Sequence, residues 1–425
     1  MSHQDPVRID KKAVAQSEPV EFCFGLATVS KLGITIGTLV FMIGFVFYPR
    51  DQFWGAFYTN LVFWMGLAAG GVIISAMFRI VNAKWAPPIR RIAESGVSFL
   101  PWALIGFLTT YFGKEYLFHW GRAPMPGREW WMQPDFVYAR FTVLLSLLFF
   151  LMFRFVKLSL RADVGLAKEL AGDDSRWGAV RFEKLLSDWK GSEKEIPATE
   201  STKGFFAPFL VLVYALIYSL FAFEMIMGMN PIFFSNMFGG FVFIGNILAA
   251  WAFITMFTLY LRKRNDQVLA NAQTQQFHDL GKLTFGFCVL WAYLFISQFL
   301  PIWYSNMPEE TQWIILRLRE NPWRILAWAT LAMVFVIPFL TLLSRDVKKT
   351  WYALTTICTI ILCGLWLERY VVIMPEIRPD AVPFGLLEVG FFFGFMGAYL
   401  MSIGSFLKKY PIMPISDPLS MQAGH

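Results

Sequence analysis

Residues 278–310 read HDLGKLTFGFCVLWAYLFISQFLPIWYSNMPEE. The stretch opens on the titratable His278, Asp279 and Lys282, continues through mostly apolar and aromatic residues, and closes on Trp303, Tyr304, Pro308, Glu309 and Glu310. A helix of about 22 residues rises about 33 Å, enough to cross the hydrocarbon core of a bilayer. Polar groups at both ends of an apolar run describe one membrane crossing, and the rest of the chain repeats the pattern.

Of the 425 residues, 56% are hydrophobic and 16% charged, and the mean hydropathy is +0.51. The apolar residues fall in long blocks rather than in stripes of period 2 or 3.6, which is the composition of an all-α, polytopic membrane protein. The blocks long enough to span are 32–48, 54–81, 92–112, 136–160, 205–228, 238–261, 281–304, 323–343, 350–370 and 383–407, ten in all. They divide the chain into an N-terminal tail (1–31), a ten-helix membrane domain (32–407) with a long charged loop at 161–204, and a C-terminal tail (408–425). No short basic, apolar and cleavage-site pattern opens the chain, so the first span is expected to act as the insertion signal. The two tails and the even-numbered loops carry 23 Lys and Arg, the odd-numbered loops 7. The positive-inside rule therefore predicts a multi-pass protein with both termini cytoplasmic. Trp120, Trp130, Trp131, Trp303, Trp313 and Trp323 all fall on the other side, as an interfacial belt or a docking surface requires. The run through Trp177, Val180, Phe182, Leu185, Leu186 and Trp189 predicts an amphipathic interfacial helix in the long loop. Pro101, Pro208 and Pro338 predict kinks, and the small-residue pairs Gly66/Gly70 and Gly390/Gly394, with Gly397 and Gly404, predict close helix contacts.

Several function classes drop out. The net charge of +7 follows no basic stripe with interleaved aromatics, so it speaks for topology and against nucleic-acid binding. Cys23, Cys288, Cys358 and Cys363 lack CxxC or CxxCH spacing. None of His3, His119, His278 and His425 lies mid-block, which leaves haem, iron–sulfur and metal ligation without their ligands. Walker, GxSxG, HExxH and dinucleotide-loop patterns are absent from the sequence. Redox centres, if the protein serves redox chemistry, are expected in partner chains.

An ionisable side chain inside a bilayer is costly enough to be a functional candidate until a partner explains it. Glu224, Glu368 and Glu388 are predicted at similar depth near the outer ends of spans five, nine and ten, with Arg369 beside Glu368. Glu224 and Glu388 have no basic neighbour close in sequence, whereas Glu368 has Arg369 or Arg378 as a local ion-pair partner. Asn246 and Gln298 supply neutral groups at that depth, with Tyr293 among the supporting hydroxyls. On the inner side His278, Asp279 and Lys282 lie at a helix end beside Arg79, Glu94 and Arg154. A histidine next to an aspartate suits proton transfer near neutral pH, and an ion cluster anchoring a helix end fits the same residues. Outside, Glu115 and His119 are four apart and share a face if the third helix continues that far. With Lys114, Arg122 and Asp135 they form an exit cluster or a partner contact.

The stretches IRRIAESGVSFLP (89–101), MGMNPIFFSNMFGG (227–240), the 278–310 segment, LERYVVIMP (367–375), PFGLLEVGFFFGFMGAYL (383–400) and YPIMPISDP (410–418) resemble the NrfD or polysulfide-reductase-type membrane subunits. The resemblance is strongest to the ActF-type subunit of bacterial alternative complex III, a quinol to cytochrome c or copper-protein oxidoreductase. It implies two four-helix bundles plus two peripheral helices in a bacterial inner membrane. The implied partners are a related ten-helix quinol-binding subunit, a periplasmic iron–sulfur subunit and multihaem cytochrome c subunits. A sister subunit of that family holds its quinol with a histidine in FWxGxAHAGTxxS; here FWMGLAAGGVIIS puts Ala69 in that place. The implied role is a non-catalytic scaffold and proton-translocating arm, with Glu224, His278, Asp279, Lys282, Glu368, Arg369 and Glu388 on the route, Arg369 lowering the pKa of a neighbouring carboxylate. The chain itself is expected to hold at most a quinone or a lipid. An NrfD-type quinone-binding subunit is the second expectation, and a secondary transporter the third.

Overall fold

In hydrocarbon no water is at hand for exposed backbone groups, so each long apolar block closes its hydrogen bonds within a helix. A computed structural model describes residues 8–17, 24–123, 127–264, 274–418 and 421–422; His3, Cys23 and His425 lie outside them. Among the described residues ten helices are long and apolar enough to cross a membrane, as the sequence predicts. They are span 1 (Gly25–Phe47), span 2 (Arg50–Ile80), span 3 (Pro87–Leu117), span 4 (Pro134–Ala171) and span 5 (Ser192–Met229). There follow span 6 (Phe238–Arg262), span 7 (Gln276–Ser305), span 8 (Trp323–Leu342), span 9 (Trp351–Ile377) and span 10 (Leu386–Lys409). Spans 2–5 form one four-helix bundle and spans 6–9 a second, joined by contacts of span 2 with spans 6 and 9. Spans 1 and 10 pack on each other at the periphery.

The first and last described segments meet on one face, where Arg8–Ile9 pairs in parallel with Met421–Gln422. We call this the terminal face and the other the far face. Small residues set the tightest approaches. A Cβ on Gly66 would strike the Asn246 side chain of span 6, and one on Gly70 would come within 2.6 Å of the Asn246 carbonyl. Gly37 and Gly394 leave no room for a Cβ between spans 1 and 10.

Three expectations need correction. The loop predicted at 161–204 is mostly helix: span 4 runs on to Ala171 and span 5 starts at Ser192. The apolar run ends before the helix does, because the charged residues beyond it are buried with partners. Between these spans there is no interfacial amphipathic helix but a set of short turns, Arg176–Gly178, Val180–Phe182 and Glu183–Leu186. Trp177 and Phe182 are buried, with the Trp177 indole donating to the Ala15 carbonyl at 2.7 Å. Its partner helix Lys11–Gln16 is N-capped by Asp10. The predicted tryptophan belt is split: Trp130 and Trp303 are exposed, whereas Trp120 and Trp323 pack inside.

The prolines act in different ways. Ahead of Pro101 span 3 tightens into a 3₁₀ turn at Gly96–Phe99, and ahead of Pro338 span 8 widens into a π turn at Ala332–Val336. Pro208 lies inside the unbroken helix Ser192–Phe221.

Candidate functional site

Span 5 widens into a second π turn at Ala222–Ile226, and this turn carries Glu224. A π turn inserts a residue into the helix and so re-aims the side chains around it. Glu224 pairs with Arg140 of span 4 and accepts a hydrogen bond from the Trp131 indole at 2.8 Å. Arg140 lies 4.1 Å over the Trp131 ring and donates to the Trp131 carbonyl at 3.2 Å. Sequence neighbours gave Glu224 no basic partner; the fold supplies one from 84 residues upstream.

About 14 Å inward from the far end of span 9, Glu368 and Arg369 form the second group. Both are buried and paired at 2.5 Å. Local pairing with Arg369 is therefore correct, while Arg378 is taken by Asp51 at 2.8 Å. Arg369 also donates to the Val242 carbonyl at 2.9 Å and to Asn246 Oδ1 at 3.2 Å, so span 6 holds its guanidinium. Gly245 makes the space: a Cβ there would lie 2.9 Å from Arg369 Nη2. Glu368 Oε2, Asn246 Nδ2 and the Trp291 indole nitrogen are buried, with the indole directed at the Glu368 carboxylate and Asn246 beside the Tyr214 hydroxyl. Towards span 5 lie Tyr214 and Tyr218, with ring centroids 4.7 Å apart; the Tyr218 hydroxyl donates to the Met65 carbonyl of span 2 at 3.3 Å. The Glu368 group thus reaches from the second bundle to the first at mid-depth.

Glu388 takes a structural part in the first turn of span 10. One oxygen accepts from the Gly385 amide at 2.9 Å, the half of a capping box that a glycine N-cap allows; Oε1 is buried, with Gln52 beside the carboxylate. Glu224, Glu368 and Glu388 thus have separate sets of partners. Gln298 donates to the Leu294 carbonyl at 3.2 Å, accepts from Ser235 at 3.4 Å, and faces the same cavity as Glu368. Tyr293 is 63% exposed and turned away from both groups.

On the terminal face of the second bundle, Lys282 pairs with Asp279 at 3.0 Å. The His278 imidazole is 3.9 Å from the same carboxylate, beyond hydrogen-bond reach. Lys348 adjoins this group, and burial together with the charge of Lys282 pulls its ammonium below the usual lysine range. At the far face the predicted Glu115–His119 face does not form. The helix Lys114–Leu117 ends at Phe118, whose extended backbone separates it from His119–Arg122. Glu115 and His119 are exposed, and Asp135 pairs instead with Lys114 at 3.1 Å and Tyr111 at 2.8 Å.

The largest polar group was only partly anticipated. At the terminal face of the first bundle four basic side chains (Arg79, Arg90, Arg91, Lys203) meet four acidic ones (Glu94, Asp163, Glu200, Asp417). Arg91 bridges Glu94 and Asp163, and all three are fully buried. Ser75 donates to Glu94 at 3.2 Å, and the Ser416 amide donates to Asp163 at 2.8 Å. Equal numbers of each sign let the group persist in an apolar setting. Sequence reasoning found Arg79 and Glu94 but placed Asp163, Glu200 and Lys203 in a loop. The usable signal was the basic pair Arg90–Arg91 set three and four residues ahead of Glu94.

Titratable side chains thus stand at both ends of the first bundle and at mid-depth and the terminal end of the second, with amides and hydroxyls between. Among the described residues no three His, Cys, Asp or Glu side chains converge as a metal site. No curated protein matches the chain. The family model described as "Polysulphide reductase, NrfD" matches residues 45–378, well over half of the sequence. The match takes in spans 2–9 and so both bundles. The chain therefore belongs to the NrfD polysulphide reductase family, whose members are membrane subunits of quinone-linked oxidoreductases and typically partner iron–sulfur subunits.

Proposed function

We propose that the chain is the ActF-type membrane arm of an alternative complex III, a scaffold without a redox centre that carries protons while partner subunits oxidise quinol. The observation that carries this reading is the Glu368–Arg369–Asn246 group, a carboxylate buried between spans 6 and 9, with Tyr214 of the other bundle donating to the Phe243 carbonyl of span 6 at 3.5 Å. A buried carboxylate that can exchange its proton is what a relay requires, and Arg369 moderates the cost of its charge. The Arg140–Glu224 pair on the far side and the ionic group on the terminal side are the two mouths of the route. His278, Asp279 and Lys282 are a second entrance. In this orientation the terminal face is cytoplasmic, and a related ten-helix subunit, an iron–sulfur subunit and multihaem cytochromes complete the complex.

Support for leaving the quinol chemistry to a partner comes from Ala69. It is fully buried, and its neighbours Gly70 and Gly71 lie so close to spans 6 and 3 that a Cβ would come within 2.6 and 2.9 Å of their carbonyls. Such packing offers no space for a ring.

The test is proton translocation per electron by the whole complex in liposomes. Glu368→Gln is expected to lower the ratio while quinol oxidation in detergent persists; an unchanged ratio overturns the proton-carrying role.

A second reading, quinone binding by this chain, draws on a cavity of about 170 Å³ lined by Phe233, Phe241, Trp291, Phe295, Trp313 and Glu368. A void of about 150 Å³ admits one benzene ring. Photolabelling of this chain by a quinone analogue, lost on Phe241→Trp, would favour it over the first.

A further inference from the structure

A cleft of about 920 Å³ lies between the paired spans 1 and 10 and the Leu100–Thr109 half of span 3. Phe41, Phe57, Phe99, Trp102, Phe391 and Phe395 line it, and Lys409 and Tyr410 stand at its terminal-face mouth. We propose that this cleft is a binding site for one anionic phospholipid, acyl chains between the rings and phosphate on Lys409.

Volume, polarity and charge each support that occupant. The space is about six times the ~150 Å³ that holds a benzene ring, so it takes roughly the carbon of two acyl chains. Its hydroxyls ask nothing of a ligand. Thr38, Ser98, Thr109, Ser402 and Ser405 each donate to a carbonyl of their own helix at 2.7–2.9 Å. A transmembrane helix of another protein is the competing occupant, and it would need small residues facing the cleft. Small residues do line the cleft, Gly37, Gly106, Gly394 and Ala398 among them, but Gly37 and Gly394 are filled by their own mutual contact and Gly106 by Leu61. Large rings are left facing out. Lys409 is exposed, its ammonium 5.3 Å from the Tyr410 ring centroid, and it forms no ion pair with a described residue. A cation at the mouth of an apolar cleft between spans suits a lipid phosphate.

The solubilised complex is exchanged into micelles holding equal amounts of phosphatidylglycerol and phosphatidylcholine, and lipids retained by this chain are counted by native mass spectrometry. The wild type is expected to keep one phosphatidylglycerol. Lys409→Gln should cut the preference for phosphatidylglycerol about five-fold, and Ala398→Trp, which fills the cleft, should abolish retention of both lipids. Equal retention of the two lipids by the wild type, or no change in either variant, overturns the proposal. So does a photo-crosslinker at Trp102 that captures a polypeptide rather than lipid.

Discussion

Arg140 and Glu224 set the terms at the scale of single residues. Their pair is nearly enclosed, with about a tenth of each side chain exposed, and burying both charges costs more than their attraction returns unless further bonds help. Trp131 gives that help from two sides, donating its indole N–H to Glu224 and offering its ring to Arg140. Removing one partner strands the other charge. Arg140→Met is therefore expected to destabilise the chain by about 3 kcal/mol, read as a drop in thermal unfolding midpoint. Arg140→Met combined with Glu224→Met should recover much of that loss. Glu224→Gln keeps the shape and the Trp131 bond while removing the charge. It also leaves Arg140 without its counter-charge, so it should cost stability as well as lower protons moved per electron in the complex that assembles; Glu388→Gln should lower the same ratio. The pair was half legible in the sequence: a carboxylate in an apolar block marked the position, but its partner lies 84 residues away on another span. The Glu368–Arg369 pair was legible as one of two readings, because its members are adjacent while Arg378 stood as the alternative.

At the scale of elements, apolar blocks are read correctly and their ends are not. Hydropathy finds a span because the solvent demands apolar side chains. It finds an end only where the helix meets water, and spans 4 and 5 continue through residues that meet one another instead. Asp163 and Lys203 are almost fully buried although each belongs to a charged stretch. Register between helices is likewise written in close approaches that only the fold displays. Asn246 fits the notch left by Gly66, and the same register presents its Oδ1 to Arg369. Gly66→Leu should push span 6 away from span 2. The expected cost is about 1–3 kcal/mol for overpacking, together with loss of the Arg369–Asn246 bond. Hydrogen exchange at the Val242 and Asn246 amides would report the opened contact, and unaltered exchange would contradict it. The π turn at 222–226 offers a second handle. Deleting Ala222 removes the extra residue, restores α geometry and swings Glu224 about 100° around the span, the angle of one residue at 3.6 per turn. The variant should match Glu224→Gln in proton yield while retaining its helix content.

For the whole molecule, the first bundle is closed at the terminal face by a segment that hydropathy passes over. Residues 410–418 follow the last span, and the stretch YPIMPISDP falls in the C-terminal tail. In the structure the Pro411 carbonyl accepts from Arg91 Nε at 3.1 Å, the Ser416 amide donates to Asp163, and Asp417 pairs with Arg90. Ile412, Met413 and Ile415 are buried beside these contacts. The tail is thus an inner wall of the first bundle: it supplies one of four anions and closes the ionic group from water. Ending the chain after Lys409 would leave Arg90 and Arg91 with two close carboxylates for two guanidiniums and would admit solvent to Glu94 and Asp163. Such a truncation should lower stability by about 3–5 kcal/mol, the cost of breaking a buried charge pair. Asp417→Asn should cost less, because the amide still accepts a hydrogen bond from Arg90. Salt separates a buried role from a surface one. Exposed ion pairs weaken as ionic strength rises, whereas enclosed pairs are screened little. The stability difference between wild type and Asp417→Asn should therefore stay constant from low to high salt in detergent. A difference that vanishes in high salt would place the tail on the surface and leave the first bundle open at its terminal end.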